Sequence, residues 1–345
     1  MKWFNIDLHI SVITDLKDIF QDLGHSIDDW SLSLHARIMG KQKIILPLLS
    51  NWYNDLIKKE LWKDFYTEYK DTLNQYDGFI CCYPPAFSLL YKEFKKPIII
   101  QIPIRYELPF YDNKEEWEYF NNYLREGVDN KLIFLVANSM YDKLYTEAFL
   151  NRVVTWIPSL CNYTGMTYTP TNNLWLYYSN KKIDESESNL VWKSDHLKND
   201  YKWQDIGNYK GVVHFPYNCS TMSIFEQYQA GIPMLFPSLN FLIELYMKGF
   251  PVLNDLTWRG MHNLPEGSPI AFNALFDPNK YKNIESLKYW LQYADFYFSL
   301  KNIKYFDSFE ELKTIIKNPV QKIENSTRKE QIYYSWNKIL NNVRL

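Results

Sequence analysis

Apolar residues along this chain fall into short unbroken runs, and between the runs they recur at the spacing of a helix face. Unbroken runs read as strands buried on both faces, and the spaced ones as helices packed over them. Residues 3–9 predict a strand. Residues 14–23 predict a helix with Leu16, Ile19, Phe20 and Leu23 on one face, ended by Gly24 as a C-terminal cap. Residues 25–33 return as a strand, so strand, helix, glycine and strand make one right-handed parallel unit. A helix over 51–72 follows, then short buried strands at 77–84 and 96–103, each closed by proline.

The pattern continues through strands at 132–141 and 153–158 to a loop at 159–173 that holds Gly165, Pro170 and several Thr and Asn residues, the composition of a hinge linker. A strand at 174–178 opens the second half. The polar stretch 183–208 fits neither period. Residues 307–316 predict a helix in which Asp307 or Ser308 caps an acidic first turn, and 328–343 a last helix capped by Ser326 or Thr327. No internal repeat and no low-complexity segment is visible.

Residues 212–235 carry chemistry as well as structure. They read as an apolar strand, a small-residue turn, a helix bearing Glu226, a glycine stop at Gly231 and a second strand. A helix that starts at the carboxyl end of a strand offers free N–H groups and the positive end of its dipole to an anion. Ser220, Thr221 and Ser223 add hydroxyl donors there, and Glu226, one turn in, stands where a carboxylate accepts hydrogen bonds from a ribose diol.

Bulk properties narrow the classes. A chain of 345 residues suits two domains of roughly 150 residues each. With 38 basic and 40 acidic residues the net charge is -2, which gives no electrostatic case for nucleic acid. No apolar run approaches the roughly 20 residues of a membrane span. The first residues lack the pattern of a signal peptide, and Cys81, Cys82, Cys161 and Cys219 have neither metal-ligand spacing nor a disulfide framework. A soluble, cytoplasmic protein is expected, in the host cytoplasm if the source is viral. The 28 Tyr, 21 Phe and 12 Trp suit sugar and base stacking, but the accompanying Asn, Lys and Ile point more to AT-rich codon drift.

Five segments, in order, resemble one family. Leu23-Gly24-His25-Ser26-Ile27 is similar to the L-x-x-x-G-H-x-V pattern at the second strand of GT-B glycosyltransferases. The Ala137-Asn138-Ser139 turn is similar to the one that closes their N-terminal domain, and Val153 to Pro158 stands where they carry V-x-V-I-P. Phe225 to Pro233 resembles their donor-site segment E-A-x-x-x-G-x-P, and residues 307–316 their S-x-E-E-L helix. The resemblance implies an α/β protein of two doubly wound Rossmann-like domains facing a cleft. The acceptor-side domain would be 1–158, the linker 159–173, the nucleotide-sugar domain 174–324, and 325–345 a C-terminal helix that crosses back to the first domain.

The activity implied is transfer of a sugar from a nucleoside-diphosphate-sugar, UDP ahead of GDP, to a hydroxyl acceptor such as a glycan. No cofactor and no metal are expected, the nucleotide-sugar being a substrate. Donor contacts fall on Lys181, Asn218, Ser220, Thr221, Met222, Ser223 and Glu226. Acceptor contacts fall on His35, Arg37, Arg105 and Glu107, and the base on His9, with Asp15 orienting it or acting in its place. Cys219 stands where retaining members carry a second carboxylate, which together with His9 favours inversion. Glycine-rich loops are replaced by His9-Ile10-Ser11 and Ser179-Asn180-Lys181. These departures also support an alternative: a non-catalytic subunit of this architecture that binds a nucleotide or a glycan.

Overall fold

The computed structural model describes residues 1–36, 40, 42–183, 189–197, 201–325 and 327–343. Two compact units emerge. Unit 1 is Met1–Ser159 with Ser268–Leu275 and Glu330–Leu345, and unit 2 is Leu160–Gly267 with Phe276–Lys329.

Among the described residues, unit 1 holds six strands: β1 Lys2–Asp7, β2 Ser26–Ser31, β3 Gly78–Cys81, β4 Ile98–Ile102, β5 Ile133–Ala137 and β6 Thr155–Trp156. They lie in the order β2-β1-β3-β4-β5-β6 and every pairing is parallel. The described residues of unit 2 hold five: β7 Trp175–Tyr178, β8 Leu190–Trp192, β9 Gly211–His214, β10 Met234–Pro237 and β11 Lys304–Phe306, ordered β11-β10-β9-β7-β8, again all parallel. Numbered within its own unit, each sheet begins 2-1-3-4-5, so both are Rossmann-like with a switch point between the first and third strands. Apolar runs such as Ile98–Ile102 are buried along their whole length, as central parallel strands must be.

The two sheets share a packing detail despite the lack of sequence repeat. Trp3 of β1 faces Gly78 of β3 in register, and Trp175 of β7 faces Gly211 of β9. Both tryptophans are fully buried. A Cβ at Gly78 would lie 2.6 Å from the Trp3 ring, and one at Gly211 2.4 Å from the Trp175 ring.

Local signals explain the helix ends. The first helix runs Ile10–Asp22, four residues earlier than its expected start, because Ile10, Val12 and Ile13 are buried on its own inner face rather than extending β1. It stops at Gly24 (φ +76°), where the Gly24 N–H donates to Gln21 O and the His25 N–H to Phe20 O, the two bonds of a Schellman end. The helix Met222–Gln229 stops the same way at Gly231 (φ +80°), with Gly231 donating to Tyr228 O and Ile232 to Gln227 O. The long helix expected over 51–72 is two, Trp52–Asp55 and Lys59–Leu73; Leu56 O between them accepts the Trp62 indole N–H at 2.6 Å.

Other elements were not expected. The helix Lys114–Asp129 is capped by Asn113, whose side chain accepts from the N–H groups of Glu115 and Glu116. Pro85–Phe94 forms a buried 3-10 helix. Within the stretch 159–173 a 3-10 turn covers Asn162–Thr164, and the Thr167 and Thr169 N–H groups donate to Gln204 and Gly207 of unit 2. The last helix is Arg328–Val343; in unit 1 its Trp336 packs edge-on to Phe20 and its Tyr333 hydroxyl donates to Asp22. Of its expected caps, Ser326 lies outside the described residues.

Candidate functional site

The unit 2 switch point is where the polar donors gather. A cavity of about 180 Å³ opens at the carboxyl ends of β7, β8 and β9, lined among others by Tyr178, Ser179, Trp192, Lys193, Thr221 and Ser223. Ligands in parallel α/β sheets collect at this position. The helix Met222–Gln229 begins here from Thr221, whose backbone is extended (φ -147°, ψ 146°) and whose side chain does not cap it. Instead the Thr221 and Ser223 hydroxyls sit 3.1 Å apart. The Tyr178 hydroxyl and Ser179 Oγ, with Ser220 Oγ in the adjoining turn, are buried without a partner among the described residues. Buried hydroxyls seldom stay unpaired without a reason, and an anionic ligand supplies one.

Lys193 opens the short helix Lys193–His196 that follows β8. Its ammonium lies 4.7 Å from the Tyr201 ring centre and 5.2 Å from that of Tyr178. His214, at the end of β9, is sandwiched between Tyr178 (4.9 Å) and Phe236 (4.8 Å), with Nε2 2.7 Å from Gln227 Oε1. Burial, with a smaller push from Lys193, drives its pKa down to about 4. A ring so placed is neutral at pH 7 and serves the wall.

Several expected donor residues stand differently. Glu226 is not an exposed helix carboxylate: it is 9% exposed, and Oε1 accepts the hydroxyl of Tyr163. Burial raises its pKa, opposed by the bonds from Tyr163 and Trp203 and by the charge of Lys193. Residue 226 is one turn in, as expected, but on the inner side of its helix, where Tyr163 of the 3-10 turn and Trp203 of the short helix Trp203–Gly207 bond to it. Asn218, Ser220 and Met222 are buried behind the cavity wall; Asn218 Oδ1 accepts the Cys219 N–H. Lys181 is exposed and does not line the cavity, while neighbouring Lys182 pairs with Asp195. Among the described residues the cation that lines the cavity is Lys193. Sequence reasoning missed it, with Trp192, because β8 is only three residues long inside a polar stretch; Tyr178 closes an expected strand, but its place in the cavity depends on residues distant in sequence.

Unit 1 brings His9 and Tyr83 together at its own switch point. His9 is the N-cap residue of the helix Ile10–Asp22, two residues past the end of β1. Its ring centre is 6.1 Å from that of Tyr83, and the Leu8 N–H donates to Tyr83 O after β3. His9 retains solvent access, yet the surrounding protein lowers its pKa, and the charge of His35 adds to the shift. His35 is exposed in the turn after β2, its N–H donating to Ser33 Oγ. Arg37 lies outside the described residues.

The remaining expected contacts are drawn inward. Asp15, at 2% exposure, sits on the buried face of its helix, one and two-thirds turns beyond His9, so the two side chains leave in different directions. Arg105 and Glu107 are each 1% exposed rather than open to an acceptor. The Arg105 guanidinium lies 3.7 Å from Asp142 and over the Tyr141 ring, and Glu107 Oε1 accepts from Tyr145 at 2.7 Å. Among the described residues no group of three or more His, Cys, Asp or Glu is placed to hold a metal ion, and no helix is long and apolar enough to cross a membrane.

No protein-family model matches the chain, and no curated protein matches it significantly in sequence. Among solved structures it is similar to CalG4, the calicheamicin glycosyltransferase, with a TM-score of 0.41 and 10% identity over 99% of this chain and 94% of that one. MurG of Acinetobacter baumannii gives 0.41 and 8% over 99% and 91%. The spinosyn rhamnosyltransferase SpnG complexed with thymidine diphosphate gives 0.38 and 9% over 100% and 96%. At these values the likeness assigns no activity.

Proposed function

We propose that this chain is a glycosyltransferase that moves a sugar from a nucleoside-diphosphate-sugar, UDP ahead of GDP, to a hydroxyl acceptor such as a glycan, with inversion and without a metal. One observation carries the reading. The cavity at the unit 2 switch point combines an uncapped helix start, unpartnered hydroxyls and a cation, and no Asp or Glu lines it among the described residues. Such a set of donors suits a diphosphate. The order of family-like segments along the sequence supports the sugar-nucleotide class.

In this reading Thr221, Ser223 and the helix N-terminus hold the diphosphate, and Glu226 meets the ribose once Tyr163 yields its place. His9 removes the acceptor proton as the new C1–O bond forms. The bond from C1 to the β-phosphate oxygen breaks, and its electron pair leaves with the nucleoside diphosphate. A lowered pKa keeps His9 unprotonated near neutrality, as a base requires.

The test is a thermal-shift panel of UDP, GDP, ADP and CMP with their sugars, followed by assay of free nucleoside diphosphate released from each sugar donor, with and without a chelator. Stabilisation by a nucleoside diphosphate and chelator-resistant release are expected. Stabilisation without release would favour a non-catalytic nucleotide-binding subunit, to which Cys219 in place of a second carboxylate already lends weight. No stabilisation by any nucleotide would overturn both.

A further inference from the structure

We infer that Lys193 is the cation that recognises the donor diphosphate and takes up the charge of the departing nucleoside diphosphate; this rests on the reading above and assigns a role within the same cavity. Among the described residues that line the cavity, Lys193 alone is Lys or Arg. It makes no ion pair with a carboxylate among the described residues, whereas Lys182 nearby is held by Asp195. The faces of Tyr178 and Tyr201 hold its ammonium by cation–π attraction, which positions a charge without neutralising it. Its charge also acts on His214 in the cavity wall and on buried Glu226 outside the lining, lowering the proton affinity of both.

The chemistry gives that charge a task. A bound sugar diphosphate carries two negative charges, and rupture of the C1–O bond leaves a third on the terminal phosphate. A cation beside the diphosphate is therefore attracted more strongly as the bond breaks, so it raises turnover as well as affinity. The same placement favours nucleoside diphosphates over monophosphates, and thus over donors activated through a single phosphate. Tyr178 and Tyr201 act as positioning residues for Lys193.

The test compares wild type, Lys193→Met and Lys193→Arg by calorimetric titration with uridine, UMP and UDP, and with guanosine, GMP and GDP. In wild type the diphosphate binds more tightly than the monophosphate and the nucleoside. Lys193→Met is expected to weaken diphosphate binding about tenfold or more, as loss of a charge-assisted contact should, while nucleoside affinity stays the same. Lys193→Arg should restore most of it. Equal weakening of nucleoside and diphosphate would show a structural role and overturn the inference, as would unchanged diphosphate binding in Lys193→Met. Melting temperatures of the unliganded variants check folding, with Lys193→Gln as substitute if the methionine variant is unstable. Wild type that binds none of the six ligands would overturn the nucleotide reading itself, an outcome distinct from failure of the lysine alone.

Discussion

Gly211 of β9 stands directly opposite Trp175 of β7, so close that a Cβ at 211 would lie 2.4 Å from the indole and 2.8 Å from the Pro233 carbonyl oxygen. The Trp175 indole N–H is fixed by Ile316 O at 3.1 Å, which leaves the ring little room to move. Unit 1 repeats the arrangement with Gly78, Trp3 and the Pro97 oxygen. In each sheet the flat glycine lets a tryptophan lie across the first and third strands, beneath the switch point.

Gly211→Ala and Gly78→Ala should therefore each destabilise by about 1–3 kcal/mol, the usual range for overpacking a tight core. Denaturant midpoints measure the effect. Gly211→Ala should be the worse of the two, because its tryptophan is tethered by a hydrogen bond. Wild-type midpoints in both variants would mean that the rings shift freely.

Glu226 carries two readouts. Its removal takes the acceptor from the half-buried Tyr163 hydroxyl, so Glu226→Ala should cost about 1–3 kcal/mol of stability. If Glu226 also meets the ribose, the variant loses nucleotide affinity by about 1.5–3 kcal/mol. Tyr163→Phe separates the two roles: it frees the carboxylate and should tighten nucleotide binding. Unchanged nucleotide affinity in both variants would confine Glu226 to a structural role.

Glu107 and His214 should give opposite pH trends. Burial lifts Glu107 from 4.5 to about 7, so between those values the native state keeps a proton that the unfolded chain has released. Stability from this group is full in acid and falls as pH rises through the window. Burial depresses His214 from 6.5 to about 4, so there the unfolded chain holds the extra proton, and stability is lost as pH falls through that range. Each effect is on the order of 3 kcal/mol. Glu107→Gln should unmask the histidine slope in unfolding measured from pH 4.5 to 6.5, and His214→Gln the carboxylate slope. A Glu107→Gln curve parallel to wild type would refute the assignment.

What the sequence made legible is what local chemistry decides. Gly24 and Gly231 could be named as helix ends because the left-handed turn they make is set within a few residues. Parallel strands such as 98–102 declared themselves by unbroken apolar runs. Other features depend on residues far apart. Ile10 to Ile13 could extend β1 or face it from a helix, and only packing decides. The helix that carries Glu226 is legible, but the side on which Glu226 lies is not, since Tyr163 and Trp203, which bond to it, lie outside its own motif. Lys193 was invisible because the cavity it lines is assembled from the ends of three strands. Asn113 is a different case: a capping side chain with Glu116 three residues on is a readable local signal.

The base assignment has the sharpest kinetic consequence. His9 belongs to unit 1 and the candidate donor residues to unit 2, so His9→Ala should lower turnover by roughly 10²–10⁴ while donor affinity barely changes. A base acts on the acceptor hydroxyl only as the bond forms, so its loss appears in kcat. Because the protein around His9 lowers its pKa, wild-type turnover should hold through neutral pH and fall only below the ordinary histidine range. Asp15 offers a built-in contrast. Its burial predicts that Asp15→Asn will change stability more than turnover. A larger kinetic defect in Asp15→Asn than in His9→Ala would transfer the role of base to the carboxylate, and near-normal turnover in both would remove the case for inversion along with that for His9.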